Sequence, residues 1–229
     1  MTSKFLLFIR HVGRIIGINK WIGSILDSDY YERKFSRGLL DNIEKGDVVW
    51  DVGANIGLYT ELFLDKVGDN GEVFAFEPSP GSIKELKNIF DGCDNVHIDN
   101  CALGELNGSA NMLFDEDPTS VVNRIVEHPQ IADNIQKIRV MSGDSLVKDG
   151  QYKAPNVIKI DVEGHELSVI NGMSNILNSV SVRCVGIEVH FGLLRDRGEE
   201  SAPKEIEKTL KRSGFKIIWT DPSHLIASR

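Results

Sequence analysis

The stretch Val48-Val49-Trp50-Asp51-Val52-Gly53-Ala54-Asn55-Ile56-Gly57 leaves this chain few folds to choose from. An apolar run of strand length enters a tight turn carrying Asp51, Gly53, Asn55 and Gly57. Leu58, Leu62, Phe63 and Val67 then follow at helical spacing. Strand, glycine turn and helix in that order hold a nucleotide-like ligand at the edge of an α/β sheet. The glycines let the backbone approach the ligand and adopt positive φ, and Asn55 is one of the few other residues that tolerates that region. The helix aims its free N–H groups at the turn. Counted from Gly53, the second glycine position of a dinucleotide fingerprint holds Asn55 and the third holds Leu58. A pyrophosphate needs the second glycine, so a dinucleotide is disfavoured.

A second signal lies 20 positions after Gly57. The run Glu72-Val73-Phe74-Ala75-Phe76 reads as the next strand and ends in Glu77-Pro78. That is the spacing expected of an acid that accepts hydrogen bonds from ribose hydroxyls. A carboxylate there would repel a 2′-phosphate. Pro78 stops the ladder.

The alternation continues along the chain. A helix is expected over Pro80–Phe90 and a strand from Val96 to about Cys101. Another strand is expected over Val157–Ile160, a helix through Leu177, a strand over 182–189 and a helix over Ala202–Arg212. Strands alternating with helices predict a doubly wound parallel sheet. Phe215–Trp219 and Leu225–Ala227 are joined by so short a connector that they form an antiparallel hairpin. The fold class is therefore α/β, a seven-strand, mostly parallel sheet with a C-terminal antiparallel hairpin. Between about 107 and 142 the alternation lapses into a β-rich insertion with strands at Ala110–Phe114 and Lys137–Met141 and an acidic tip at Asp115–Pro118.

The chain thus divides into an N-terminal helical segment, 1–45, and a domain over 46–229. In the N-terminal segment Phe5, Phe8, Ile9, Val12, Ile15 and Ile16 share one helical face, and the charges before Asp27 are all basic. The preferred reading packs this helix on the domain or a partner subunit; the other lays it on an anionic membrane surface. Tyr30, Tyr31 and Phe35 are expected to sit before a helix that ends near Lys45-Gly46, with the glycine as its stop signal. A net charge of −8 opposes nucleic-acid binding through a basic surface. Cys93, Cys101 and Cys184 form no metal or disulfide pattern, so a reducing, cytoplasmic location is expected.

The carboxyl ends of the parallel strands present Asp51, Glu77, Asn100, Asp161 and Glu188, mostly acids. Ligands of open α/β sheets bind there. The string Lys159-Ile160-Asp161-Val162-Glu163-Gly164-His165-Glu166 is the most distinctive in the chain. Together with the Asp51–Gly57 turn, Phe76-Glu77-Pro78 and Ile187-Glu188-Val189-His190, it resembles the FkbM family of S-adenosylmethionine (SAM) methyltransferases over roughly residues 48–220. The resemblance implies SAM as cofactor and O-methylation of a hydroxyl on a sugar, glycan or natural product. The cofactor contacts expected are Asp51, Gly53, Ala54, Asn55, Gly57, Tyr59, Glu77, Pro78, Asn100, Ala102 and Asp161. Catalytic roles fall to Asp161, Glu163, Glu188 and His190, with Lys159 orienting the acids. Methyl transfer requires the acceptor oxygen in line and a group to take its proton. His190 and the carboxylates compete for that role almost evenly; an imidazole has an ordinary pKa near 6.5. A divalent metal on Asp161, Glu188 and His190 ranks below plain acid/base catalysis, so no metal is assigned. An NAD-dependent oxidoreductase and a non-catalytic SAM-binding scaffold are the competing functions.

Overall fold

The computed structural model describes residues 30–114, 124–126, 135–150 and 152–229. The N-terminal amphipathic run and the acidic tip at 115–118 lie outside them. From the amino end come α1 (Tyr30–Leu40), β1 (Val48–Val52), α2 (Leu58–Val67), β2 (Glu72–Phe76), α3 (Pro80–Ile89) and β3 (Val96–Asp99). Then follow β4 (Ala102–Leu103), β5 (Gly108–Leu113), β6 (Arg124–Val126), β7 (Ile135–Met141), α4 (Gly143–Lys148) and β8 (Val157–Ile160). The rest is α5 (Glu166–Asn171), α6 (Ser174–Asn178), β9 (Cys184–Glu188), α7 (Phe191–Asp196), α8 (Ala202–Arg212), β10 (Lys216–Trp219) and β11 (His224–Ser228).

Seven strands form the main sheet in the order β10-β11-β9-β8-β1-β2-β3. β1 pairs in parallel with β2 and β8, while β11 is antiparallel to both β9 and β10. The order reverses between β1 and β8, which places the ligand crevice at their carboxyl ends. Helices cover both faces, so the central strands are apolar on both sides. Val49 packs with Phe63, Val73, Val157 and Cys184 on one face. Trp50 and Val52 pack with Phe76, Ile158, Ile160 and Met173 on the other. α1 supplies Phe35 and Leu39 to the first of these cores. Leu39 crosses β9 where that strand has Gly186; a Cβ there would come within 2.6 Å of it.

The insertion is a separate four-strand sheet, β4-β7-β5-β6, with Gly108 paired to Val140 and Leu113 to Ile135. The chain leaves the main sheet after Asp99, earlier than the strand expected up to Cys101. Asn100 causes the exit by donating its side-chain amide to the carbonyls of Glu77 and Pro78, both at 3.0 Å.

Three other local expectations change. α1 contains Tyr30, Tyr31 and Phe35 and stops at Leu40, because Asn42 Nδ2 donates to the Gly38 carbonyl (2.7 Å) and ends the helix there. The helix expected through Leu177 is two helices, α5 and α6. At the break, a Cβ on Gly172 would lie 1.9 Å from the Gly104 carbonyl oxygen. Beyond it, the Asp144 carboxylate accepts from the backbone N–H groups of Asn175 (2.9 Å) and Ile176 (3.0 Å), starting a new helix. α4 and α7 add short helices to the sequence-based outline. Among the described residues no helix is long and apolar enough to cross a membrane.

Gly172→Ala forces backbone against backbone and should lower the unfolding free energy by about 1–3 kcal/mol. Gly192→Ala, where an added Cβ meets nothing within 4 Å, should leave it unchanged or raise it by up to about 1 kcal/mol. Urea unfolding of both variants checks this; equal effects would contradict the steric account of the helix break.

Candidate active site

The turn after β1 is fastened to the end of β2. The N–H groups of Gly53 and Ala54 both donate to the Phe76 carbonyl, at 3.0 and 3.1 Å. Gly53 has φ +78, and a Cβ on it would sit 1.8 Å from the Asp161 carbonyl oxygen, so glycine alone fits. Asn55 takes the left-handed conformation at φ 48. Its N–H donates to Glu77 Oε2 (2.9 Å), and Ser79 N–H donates to Glu77 Oε1 (2.7 Å). Burial pushes the Glu77 carboxyl up to about 7, against those two backbone hydrogen bonds. Each Glu77 oxygen keeps a second lone pair.

These residues border a cleft of about 730 Å³, part of it open to solvent. Gly53, Asn55, Glu77, Pro78 and Ser82 form one wall, and Phe76, Ala102, Leu103 and Met112 form an apolar slot. Asp161, Val162, Glu163 and His165 form the far wall. Met112 comes from the insertion sheet, which thus reaches the cleft. Met112 and His165 are lining residues to which the sequence reading gave no role: Met112 lies in the insertion, and His165 stands within the Lys159–Glu166 string as an unassigned position.

Several expected cofactor contacts do not border this cleft. Asp51 is 0% exposed. Its Oδ2 accepts from Thr60 Oγ1 at 2.6 Å, and its Oδ1 lies 3.4 Å from Lys159 Nζ. It faces the core because strand alternation turns its side chain there, away from the turn. Tyr59 shares a hydrogen bond with Ser36 of α1 (2.8 Å) and packs on Phe35 and Phe63. Ala54 sits in an apolar cluster with Ala75 and Ile83. Gly57 serves packing, since a Cβ there would meet Phe90 at 2.5 Å and Leu86 at 2.7 Å. Asn100 braces the end of β2 as described above.

Lys159 is buried too, and acts behind the site. Nζ donates to the Gly53 carbonyl (3.0 Å), lies 3.3 Å from Asp161 Oδ2 and sits over the Tyr59 ring. Burial works against its charge, but Asp161 and Asp51 outweigh it and raise the pKa above the ordinary lysine value. It is a fixed cation tying the first wall to the far one.

The loop after β8 reverses sharply. Asp161 N–H donates to the Val52 carbonyl at 3.0 Å. Glu163 and Gly164 then both take positive φ, 51 and 89. A glutamate held there costs on the order of 1–2 kcal/mol. The reversal turns Asp161 and Glu163 to the cleft and sends Glu166 inward. Arg197, which caps the end of α7, holds the loop from behind, donating to the Gly164 carbonyl and to His165 Nε2 (2.7 Å).

Glu166 is 0% exposed. Its Oε1 accepts from Gly164 N–H and from His190 Nδ1–H, both at 2.8 Å. His190 follows β9 at the start of α7. Its Nε2 lies 3.3 Å from Glu163 Oε2, 3.8 Å from Asp161 Oδ1 and 3.9 Å from Glu188 Oε1. Glu188 and His190 therefore converge, although β9 ends at Glu188 and His190 lies outside the strand. Burial opposes the imidazolium, but Glu166, Glu163 and Asp161 overcome it and hold His190 up at about 9. The expectation of a histidine titrating near its ordinary value is corrected: these neighbours raise it. Burial pushes Glu163 up to about 7 despite His190. Glu188 is held below the usual carboxylate range: burial works against its charge, and the hydrogen bond from His224 outweighs it (Nε2 to Oε2, 3.3 Å). His224 leans in turn on Asp221 (2.8 Å). The C-terminal hairpin thus contributes to the site, which its sequence alone did not disclose.

The sheet order, the glycine turn fastened to β2 and the acids at the strand ends define a class I SAM-dependent methyltransferase fold. A model of the methyltransferase FkbM domain matches residues 51–217. The chain belongs to the FkbM family of SAM-dependent methyltransferases, and the NAD reading falls. It is 35% identical over 182 residues to the hexuronic acid methyltransferase AglP of Haloferax volcanii, covering 80% of this chain and 69% of that protein. It is 26% identical over 205 residues to the 31-O-demethyl-FK506 methyltransferase FkbM of Streptomyces tacrolimicus, covering 77% of this chain and 75% of that one. The fold is shared with the FkbM methyltransferase of Methylobacillus flagellatus at a TM-score of 0.54 and 13% identity, over 95% of this chain and 60% of that one. It is also shared with a Streptococcus mutans protein solved in complex with SAH, at a TM-score of 0.52 and 12% identity, over 87% and 98% of the two chains.

Asp51→Asn keeps an acceptor for Thr60 but removes one of the two charges facing Lys159. Chemical denaturation should show a loss of about 1.5–3 kcal/mol. A variant as stable as the wild type would show that Asp161 alone satisfies Lys159.

Proposed function

We propose that this chain transfers the SAM methyl group to a hydroxyl oxygen of a sugar acceptor, with hexuronic-acid glycans the first class to test. The observation that carries the reading is the convergence of Asp161 and Glu163, which border the cleft with Glu77, on His190. The similarity to AglP supports the acceptor class.

The cleft fits the cofactor in three respects. Glu77, with a free lone pair on each oxygen, accepts from the ribose hydroxyls. Phe76, Leu103 and Met112 take the adenine in their slot. Gly53, without a Cβ, lets the amino-acid end lie against the backbone beside Asp161. When bound, SAM supplies an electrophilic methyl on a cationic sulfur. The acids of the far wall favour that charge, and they orient the acceptor oxygen. A cleft-facing carboxylate, Glu163, takes the hydroxyl proton as the O–C bond forms and the S–C bond breaks. His190 is not the base in this reading. Its Nδ1 is committed to Glu166 and its Nε2 already faces carboxylates. Lys159 and Glu166 act through the groups they hold.

Deuteromethyl SAM incubated with hexuronate-containing oligosaccharides should yield a labelled, alkali-stable methyl ether by mass spectrometry. An alkali-labile methyl ester would move the transfer to the sugar carboxylate, which needs no base, and would contradict the role of Glu163. Glu163→Gln should lower kcat by about 10²–10⁴-fold, the range for losing a general base, while the Kd for SAM stays within a few-fold of wild type. Full activity in that variant would remove Glu163 from the proton path.

A further inference from the structure

We infer that Asp161, Glu163 and His190 together bind one divalent cation of the Mg²⁺/Mn²⁺ type at the cleft wall. One ligand atom from each of the three lies within 4.8 Å of the others. Ligands at bond lengths of about 2.1–2.4 Å around a hard cation stand roughly 3.0–3.4 Å apart when adjacent. The distances from His190 Nε2, 3.3 Å to Glu163 and 3.8 Å to Asp161, are within a small inward shift of that.

A cluster of acids would not make a site by itself. The imidazole here is built as metal-ligating histidines are, with its Nδ1–H given to a carboxylate that fixes the ring and leaves Nε2 pointing at the ligand position, where the cation takes the place of the Nε2 proton. That carboxylate, Glu166, is wholly buried and meets His190 through Oε1, while its Oε2 has no hydrogen-bond partner among the described residues. Asp161 divides its oxygens, Oδ2 toward Lys159 and Oδ1 toward His190, so the second is free to ligate. Glu188 lies outside the three whose ligand atoms converge: its Oε2 is turned to His224 and its Oε1 stands farthest from His190 Nε2, at 3.9 Å. Two carboxylates and one imidazole suit Mn²⁺ or Mg²⁺ better than a thiolate-seeking metal. The side chains of Asp161, Glu163 and His190 are 29%, 28% and 17% exposed, which leaves room for water or acceptor oxygens on the cation. That the cation orients the acceptor oxygen rests on the proposed methyl transfer; its binding does not.

Mn²⁺ titrated into the full chain by calorimetry, without SAM or sugar, should bind at one per chain and raise the Tm. His190→Gln and Glu163→Gln should each weaken that binding at least tenfold while the proteins stay folded by circular dichroism. Asp161→Asn should do the same, but it also removes a partner of Lys159, so Glu163→Gln carries the test if that variant fails to fold. No saturable Mn²⁺ binding in the wild type, or equal binding in wild type and variants, would overturn the inference. Mn²⁺ binding without methyl transfer to a uronate would sink the acceptor reading alone; transfer by a chain that binds no Mn²⁺ would sink the cation alone.

Discussion

A single buried ammonium carries more of this structure than any other side chain. Lys159 stands between Asp51 and Asp161 and donates to the Gly53 carbonyl. Taking one charge out of water costs several kcal/mol, and the cost is offset only when partners are close and well placed. Here the partners come from two parallel strands and from the loops that follow them. The glycine turn after β1 and the acid loop after β8 are therefore held at one separation, and the cleft is the space that separation leaves. Removing the lysine would strand two carboxylates, one of them wholly buried.

The same arrangement is repeated one strand further out. Glu166 holds His190, and His190 faces Asp161, Glu163 and Glu188. His224, from the antiparallel hairpin, holds Glu188 and is held by Asp221. Each imidazole is matched to acids from different elements, so the β8 loop, the end of β9 and the turn before β11 form one electrostatic network. The edge hairpin closes the sheet and also steadies the acid at the end of β9. The strained φ of Glu163 is maintained within this network, with Arg197 holding the loop from outside.

Much of the architecture was legible because it depends on local pattern. The strand over 48–52, the helices over 58–67 and 202–212 and the closing hairpin all follow from periodicity and turn chemistry, and the structure has them in place. Glu77 borders the cleft where its spacing put it, because a strand and a turn fix its distance from the glycine loop. The misreadings have nonlocal causes. The break at Gly172 depends on Gly104, far back in the chain. Asp51 and Tyr59 sit in the right motif, but which way a side chain points depends on what packs behind it. The proton affinity of His190 depends on Glu166, and the pairing of Glu188 depends on His224. A row of acids at strand ends can be read from sequence; which of them is neutralised, and by what, requires the fold.

If Lys159 couples the two walls, hydrogen–deuterium exchange on Lys159→Met should show it directly. The amides of Gly53, Ala54 and Asn55 and those of Asp161 and Gly164 should lose protection together, while the ladder between β9 and β11 keeps its protection. Loss at one wall only, or unchanged protection at both, would contradict the account.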